Sequence, residues 1–163
     1  MNAAGPWWRG GRGEWYVVVQ IGLLVLLALG PPSLAGWPKW SPAIAPLCRA
    51  LGVALAILGV LLLLGGGLRL GAHLTPLPYP KNGGPLRETG AYRLVRHPMY
   101  GGGILVAVGW ALWRQGWLTL AYAGILLVFL SVKIRREERW LIEKHPGYAD
   151  YRRRVRKLIP FIY

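Results

Sequence analysis

Four runs of apolar residues divide the chain. One polar side chain, Gln20, interrupts the first run, and the other three carry no charge: 50–64, 99–113 and 117–132. A soluble fold scatters its apolar residues at helical or strand periods, whereas a bilayer-spanning helix needs about 20 of them in succession. Each run falls slightly short of that length, but its flanks extend it. The pattern predicts an all-α integral membrane protein with about four transmembrane helices, near 15–33, 43–64, 99–113 and 117–134.

The C-terminal part is predicted to form cytoplasmic helices. The fourth helix should continue as a charged helix to about residue 145, where Pro146-Gly147 breaks it. A short helix over 147–158 should follow, because Tyr148, Tyr151, Arg152 and Val155 fall on one helical face. We therefore expect one domain over 1–163.

Tryptophans stand close to the ends of these runs. The chain has nine of them, and Trp15, Trp37, Trp40, Trp113 and Trp117 flank apolar segments. Such positions are typical of the aromatic belt at a membrane–water interface. This supports the transmembrane assignment.

Positive charge is distributed unevenly about these helices. A net charge of +14 in a soluble protein would suggest nucleic acid. With the helices above, however, 17 of the 20 Lys and Arg residues fall on one side, and only Lys39, Arg49 and Arg114 fall on the other. The positive-inside rule then places both termini and the central loop in the cytoplasm. We expect membrane lipids rather than nucleic acid as partners, and the short Gly- and Trp-rich chain indicates a bacterial inner membrane.

The first run also has the basic start and apolar stretch of a signal peptide. No convincing small-x-small cleavage site precedes Pro31-Pro32, so we expect the run to be retained as a helix. The lone Cys48 excludes an internal disulfide.

Three polar groups should converge on the cytoplasmic face: Arg96-His97 with Tyr100, Glu137-Glu138, and the tyrosines of 148–154 with the arginines beside them. Free backbone amides at the helix start after His97 could receive an anionic group. Each group also has a plain structural interpretation, as lipid anchors, a solvated charged helix, or helix packing. No spacing such as H-E-x-x-H is present, so no metal site is expected.

A composite motif links these groups. Gly90-Ala-Tyr-Arg-Leu-Val-Arg-His-Pro-Met-Tyr-Gly-Gly102 is followed by Glu137-Glu-Arg-Trp-Leu141, Gly147-Tyr-Ala-Asp-Tyr151, Arg154-Val155 and Pro160-Phe-Ile162. This combination resembles the isoprenylcysteine carboxyl methyltransferase family. More broadly, it is similar to the integral membrane methyltransferases that include phospholipid methyltransferases. The resemblance covers residues 74–163, which we expect to hold the cofactor-binding part.

The resemblance implies S-adenosylmethionine as methyl donor and a lipophilic or prenylated acceptor, of the isoprenylcysteine carboxylate, lipid or thiol class. The residues implied at the donor site are Tyr92, Arg96, His97, Tyr100, Gly102, Glu137 and Tyr148. Glu138 and Arg154 are implied in catalysis. Arg154 would hold a carboxylate acceptor, and Glu138 would orient the Arg154 side chain. The motif leaves open which glutamate contacts the donor.

Two other functions are compatible with the residues. Parts of the motif are similar to membrane sterol reductases, which would require NADPH. A non-catalytic membrane adaptor would have no cofactor pocket.

Overall fold

The computed structural model describes residues 11–79 and 86–159, and these ranges are helical apart from turns and loops. The helices are α1 (Glu14–Leu29), α2 (Ala45–Leu70), α3 (Ala91–Leu94), α4 (Pro98–Arg114), α5 (Trp117–Lys144) and α6 (Tyr148–Arg154). A 3-10 turn over Gly71–His73 extends α2. The prediction of an all-α fold is confirmed for these ranges. The β-structure described within them is an isolated bridge between Val95 and Arg156. Predicted features at Pro160–Ile162 lie outside the described residues.

Two helices are long and apolar enough to cross a bilayer. These are Ala45–His73 and Trp117–Lys144, with 29 and 28 residues. Only 11% of the apolar window of the first is buried, which distinguishes it from the core helix of a soluble protein. Helices α1 and α4 have 16 and 17 residues, below the usual spanning length of about 20. Two of the roughly four predicted spanning helices therefore have the length and composition to cross a bilayer, and four are not confirmed.

Helices α1 and α2 end at different places from those predicted. Helix α1 stops at Leu29, four residues before the predicted end, because Gly30 is extended and two prolines follow. Helix α2 continues to Leu70, six residues beyond the predicted end. The glycines over 65–67 remain helical there, and Gly66 packs against Pro98 and Met99.

The final helix is shorter than predicted. Helix α6 ends at Arg154 rather than at residue 158. Beyond it the chain becomes extended, and the carbonyl oxygens of Arg156 and Lys157 accept hydrogen bonds from the backbone amides of Arg96 and His97. These long-range bonds replace the helical bonds that a continued α6 would make.

Glycines let α2 and α4 approach closely. Gly52, Gly59 and Gly66 recur every seven residues on α2, and Gly102 and Gly109 do so on α4. A Cβ on Gly102 would lie 2.5 Å from the Gly59 carbonyl oxygen, and one on Gly59 would lie 2.6 Å from the Gly102 carbonyl oxygen. Small residues at such spacing are the usual means of close helix packing in membranes. The contact fixes α4 against α2.

The opposite face of α4 packs against α5 and α1. Gln115 and Gly116 alone connect α4 to α5, so the two helices form a hairpin. The buried core between them and α1 consists of Leu27, Ala107, Ala123, Leu126 and Leu130. A hydrogen bond connects the C-terminal end of α1 to α4, because Trp110 Nε1 donates to the Leu27 carbonyl oxygen at 3.1 Å.

The glycine contact predicts a specific loss of stability. We expect Gly102→Ala to destabilise the protein by about 1–3 kcal/mol, because the new methyl group would overlap the Gly59 backbone. In a chain of this size, each kcal/mol of destabilisation lowers the Tm by roughly 2–4 °C. Thermal unfolding in detergent would measure the change. The control is Gly67→Ala on α2, where a Cβ would meet nothing within 4 Å. Equal Tm values for the two variants would contradict the close approach.

Candidate functional site

A cavity of about 590 Å³ lies between the helices, within the roughly 300–1,000 Å³ range of small-molecule pockets. Its walls come from α1, α2, α4, α5, α6 and the segment 73–78. One end is polar and carries Tyr92, Arg96, His97, Tyr100, Lys133, Glu137, His145, Tyr148 and Tyr151. The other end is an apolar arm lined by Leu24, Leu27, Leu63, Val106, Ala107, Leu126 and Leu130. The cavity therefore suits a ligand, or a pair of ligands, with one charged and one hydrocarbon part.

The carboxylate of Glu138 joins the elements around the polar end. Its Oε1 accepts from Arg96 Nε at 2.9 Å, lies 3.3 Å from His97 Nε2, and accepts from Tyr148 Oη at 3.3 Å. Its Oε2 lies 3.6 Å from Arg152 Nε. The Glu138 side chain is only 5% exposed. It is therefore a buried anion whose partners come from the start of α4 and from α6.

The C-terminal segment holds Arg96 from the other side. Arg96 Nη1 donates to the carbonyl oxygen of Arg152 at 3.0 Å and to that of Val155. The Arg96 backbone amide donates to the Arg156 carbonyl at 2.8 Å. Within the described residues, the Arg96 side chain bonds through Nε and Nη1. Arg96 also lines the cavity, so its guanidinium is placed to meet a ligand there.

Part of the predicted row of free amides is already occupied. The amides of Arg96 and His97 bond to the C-terminal segment, and Pro98 has no amide proton. The amides of Met99 and Tyr100 are in the first turn of α4, where a helix offers no internal acceptor. Both residues line the cavity. The amides of Arg96 and His97 are therefore lost to the predicted anion site at this helix start.

The two adjacent glutamates have different surroundings. Glu137 lines the cavity, and Glu138 does not. Glu137 Oε2 accepts from Tyr100 Oη at 2.9 Å, and the Tyr100 ring stacks on His97 with centroids 5.7 Å apart. Glu137 is thus the glutamate that a donor in the cavity would meet, whereas Glu138 positions Arg96 and His97.

Three tyrosines enclose the polar end. Tyr151 Oη donates to the Tyr92 carbonyl oxygen at 2.6 Å, which ties α6 to α3. The rings of Tyr148 and Tyr151 meet edge to face at 5.8 Å. Burial raises the pKa of Tyr92, Tyr148 and Tyr151, so each phenol is neutral near pH 7. Tyr148 can therefore act as a donor to Glu138.

The structure brings most of the predicted site residues to one cavity. Those that line it are Tyr92, Arg96, His97, Tyr100, Glu137 and Tyr148. Gly102, Glu138 and Arg154 do not line it: Gly102 packs on α2, and Glu138 lies behind Arg96.

Arg154 makes a different contact from the one that the motif implied. Its Nη2 donates to Glu88 Oε2 at 2.8 Å, with 65% of the Arg154 side chain exposed. The α6 arginine that reaches Glu138 is Arg152. The predicted orientation of Arg154 by Glu138 is not seen.

Sequence reasoning missed Lys133, which is 1% exposed and lines the cavity. In the sequence it stands at the start of the charged part of α5. The sequence feature that could have identified Lys133 as a site residue is its position at the end of an apolar run, one helical turn before Glu137. The single polar residue of the first run, Gln20, is its hydrogen-bond partner.

A model of the family described as phospholipid methyltransferase matches residues 47–147. The chain belongs to the phospholipid methyltransferase family. The resemblance seen in the motif residues is thereby confirmed, and the match extends further toward the N-terminus, through α2. Together with the two apolar helices, membership identifies this family member as a membrane protein.

Two named proteins are similar to parts of this family member. Methanethiol S-methyltransferase of Crocosphaera subtropica is 39% identical over 77 residues, which are 44% of this chain and 28% of that protein. Cobalt-zinc-cadmium resistance protein CzcN of Cupriavidus metallidurans is 29% identical over 153 residues, 91% of this chain and 62% of that protein. The chain thus spans less than two thirds of either relative.

The polar end has groups that fit S-adenosylmethionine. The Arg96 guanidinium and the start of α4 suit its carboxylate. Glu137 suits its ammonium or hydroxyl groups, and tyrosine rings suit the adenine or the sulfonium cation. The donor set therefore matches each charged part of that molecule.

The Glu138 network predicts a large difference between two carboxylate substitutions. Glu138→Gln would leave buried Arg96 without its anion. We expect this variant to lower the free energy of unfolding by about 3–5 kcal/mol. Glu88→Gln removes the more exposed pair with Arg154 and should cost at most about 1 kcal/mol. Chemical unfolding in a mild detergent would measure both. Similar losses for the two variants would contradict the central position of Glu138.

Proposed function

We propose that this protein transfers a methyl group from S-adenosylmethionine to a lipophilic acceptor. The observation that carries the proposal is a single cavity that joins a polar end, matched to the donor, with an apolar arm. The acceptor classes that suit the arm are an isoprenylcysteine-like carboxylate, a lipid and a hydrophobic thiol. Family membership supports the reaction class.

The polar end is the proposed donor site. S-adenosylmethionine supplies there a methyl group on a positively charged sulfur. Arg96 holds the donor carboxylate, Glu137 takes its ammonium or hydroxyl groups, and Tyr100 and Tyr148 lie against its flat or cationic parts. Glu138 acts indirectly, because it fixes the orientation of Arg96 and His97.

The apolar arm is the proposed acceptor site. Methyl transfer is an in-line displacement that depends mainly on alignment and on excluding water. Leu27, Leu126 and Leu130 of the arm are almost fully buried, which favours a dry hydrocarbon site. Tyr148 and Tyr151 of α6, each 2% exposed, close the polar end.

The proposed location of the site is the cytoplasmic face of a bacterial inner membrane. The polar end lies beside α6, whose last turn holds three arginines, Arg152 to Arg154. Basic residues concentrate on the cytoplasmic side of membrane proteins. The same face would attract anionic lipid headgroups.

One relative supports the inclusion of thiols among the acceptors. The methyltransferase of Crocosphaera subtropica is named for a thiol, methanethiol. The name of the CzcN relative concerns metal resistance and states no reaction.

Binding of S-adenosylhomocysteine, the demethylated donor, tests the proposal directly. We expect calorimetry on detergent-purified protein to show binding that Glu137→Gln weakens about tenfold or more, since a hydrogen bond to a charged group contributes about 1.5–3 kcal/mol. The control is Arg154→Gln, which changes an exposed residue outside the cavity and should leave the affinity unchanged.

Two outcomes would contradict the proposal. Folded wild-type protein that does not bind S-adenosylhomocysteine would exclude the donor. Equal affinity of the wild type and Glu137→Gln would place the donor elsewhere.

A further inference from the structure

A buried lysine stands where the two ends of the cavity meet. On α5 the residues that line the cavity include Leu126, Leu130, Lys133 and Glu137, which follow one another at intervals of three or four. Such residues share one helical face. Lys133 thus separates the leucines of the apolar arm from Glu137 of the polar end.

The Lys133 ammonium is held by neutral groups. Its Nζ donates to Gln20 Oε1 at 2.5 Å and to the Pro76 carbonyl oxygen at 2.9 Å, and it lies 5.2 Å from the centre of the Tyr100 ring. An ammonium has three protons, and these contacts in the described residues use two. Lys133 also lines the cavity, so its charge acts on a group bound there.

No described carboxylate is in direct contact with the Lys133 ammonium. Glu137 lies near enough for its charge to act on Lys133, but it is bonded to Tyr100 and, in the proposed function, faces the ammonium or hydroxyl groups of the donor. A buried cation without an anion in direct contact is costly, because neutral oxygens replace only part of its lost hydration. The junction therefore has a positive charge that an anionic ligand would complement.

We propose that Lys133 selects an acceptor that reacts as an anion, a thiolate or a carboxylate, and disfavours amines. This inference rests on the proposed function and narrows its acceptor class. With a donor at the polar end and a hydrocarbon tail in the arm, the reacting atom of the acceptor lies beside Lys133. An anion there stands between two positive charges, the donor sulfur and the ammonium, whereas a protonated amine would meet like charges.

The transfer step balances without a further reactant. A thiol first releases its proton to solvent water, and a carboxylate is already ionised near pH 7. The new bond joins the acceptor sulfur or oxygen to the methyl carbon. The bond from that carbon to the donor sulfur breaks, and its electron pair stays on the sulfur, which becomes a neutral thioether. Lys133 keeps its proton throughout and acts through its charge.

The first test measures ionisation of a bound thiol with no methyl donor present. An aryl thiol whose thiolate absorbs at longer wavelength than its thiol is titrated with the full-length protein in detergent. We expect wild-type protein to lower the thiol pKa by about 1–3 pH units, as an adjacent opposite charge does. Lys133→Gln should abolish this shift, and the control Lys39→Gln, on an exposed residue outside the cavity, should retain it. A shift of the same size in Lys133→Gln would overturn the proposal.

The second test needs no variant and so does not depend on the folding of Lys133→Gln. Decanethiol, decanoate and decylamine share one tail length and differ in the reacting group. With S-adenosylmethionine at pH 7.5, we expect wild-type protein to methylate the thiol or the carboxylate at least tenfold faster than the amine. Whichever of the thiol and the carboxylate reacts faster identifies the acceptor anion. Faster amine methylation would overturn the role of Lys133. If none reacts although S-adenosylhomocysteine binds, the proposed acceptor class fails, and the thiol titration still decides the role of Lys133.

Discussion

The buried carboxylate of Glu138 is the interaction on which the polar end of the cavity depends. It meets Arg96 and His97 before α4, and Tyr148 and Arg152 on α6. An uncompensated carboxylate would be very costly at this depth, so its partners are constrained to converge. Their convergence sets the direction of Arg96 and closes α6 over the cavity. A residue that does not line the cavity thus determines the shape of its charged end.

Helix α4 connects this network to the rest of the bundle because its two faces differ. Gly102 and Gly109 lie against α2 with almost no space between the backbones. Tyr100, Gly103 and Ala107 line the cavity on the other side. Close packing on one face leaves α4 little freedom to move, so the cavity walls keep their separation. The tight helix contact and the cavity therefore lie on different faces of the same helix.

Local patterns in the sequence predicted much of this arrangement. Apolar runs located the four long helices, and the composite motif identified six residues that line the cavity. The rest depends on contacts between distant segments. The end of α6 is set by the pairing of Arg156 with Arg96, and the different environments of Glu137 and Glu138 follow from the orientation of α5. Lys133 was missed because its partner Gln20 is 113 positions away along the chain.

The central claim is that the donor occupies the polar end of this cavity. Ultraviolet cross-linking of labelled S-adenosylmethionine to the protein in lipid bilayers, followed by peptide mapping, tests it most directly. The account predicts labelling of residues that line the polar end, Tyr92, Tyr100 or Tyr148, and loss of the label when S-adenosylhomocysteine competes. Labelling confined to residues outside the cavity, or labelling that the competitor leaves unchanged, would contradict the account.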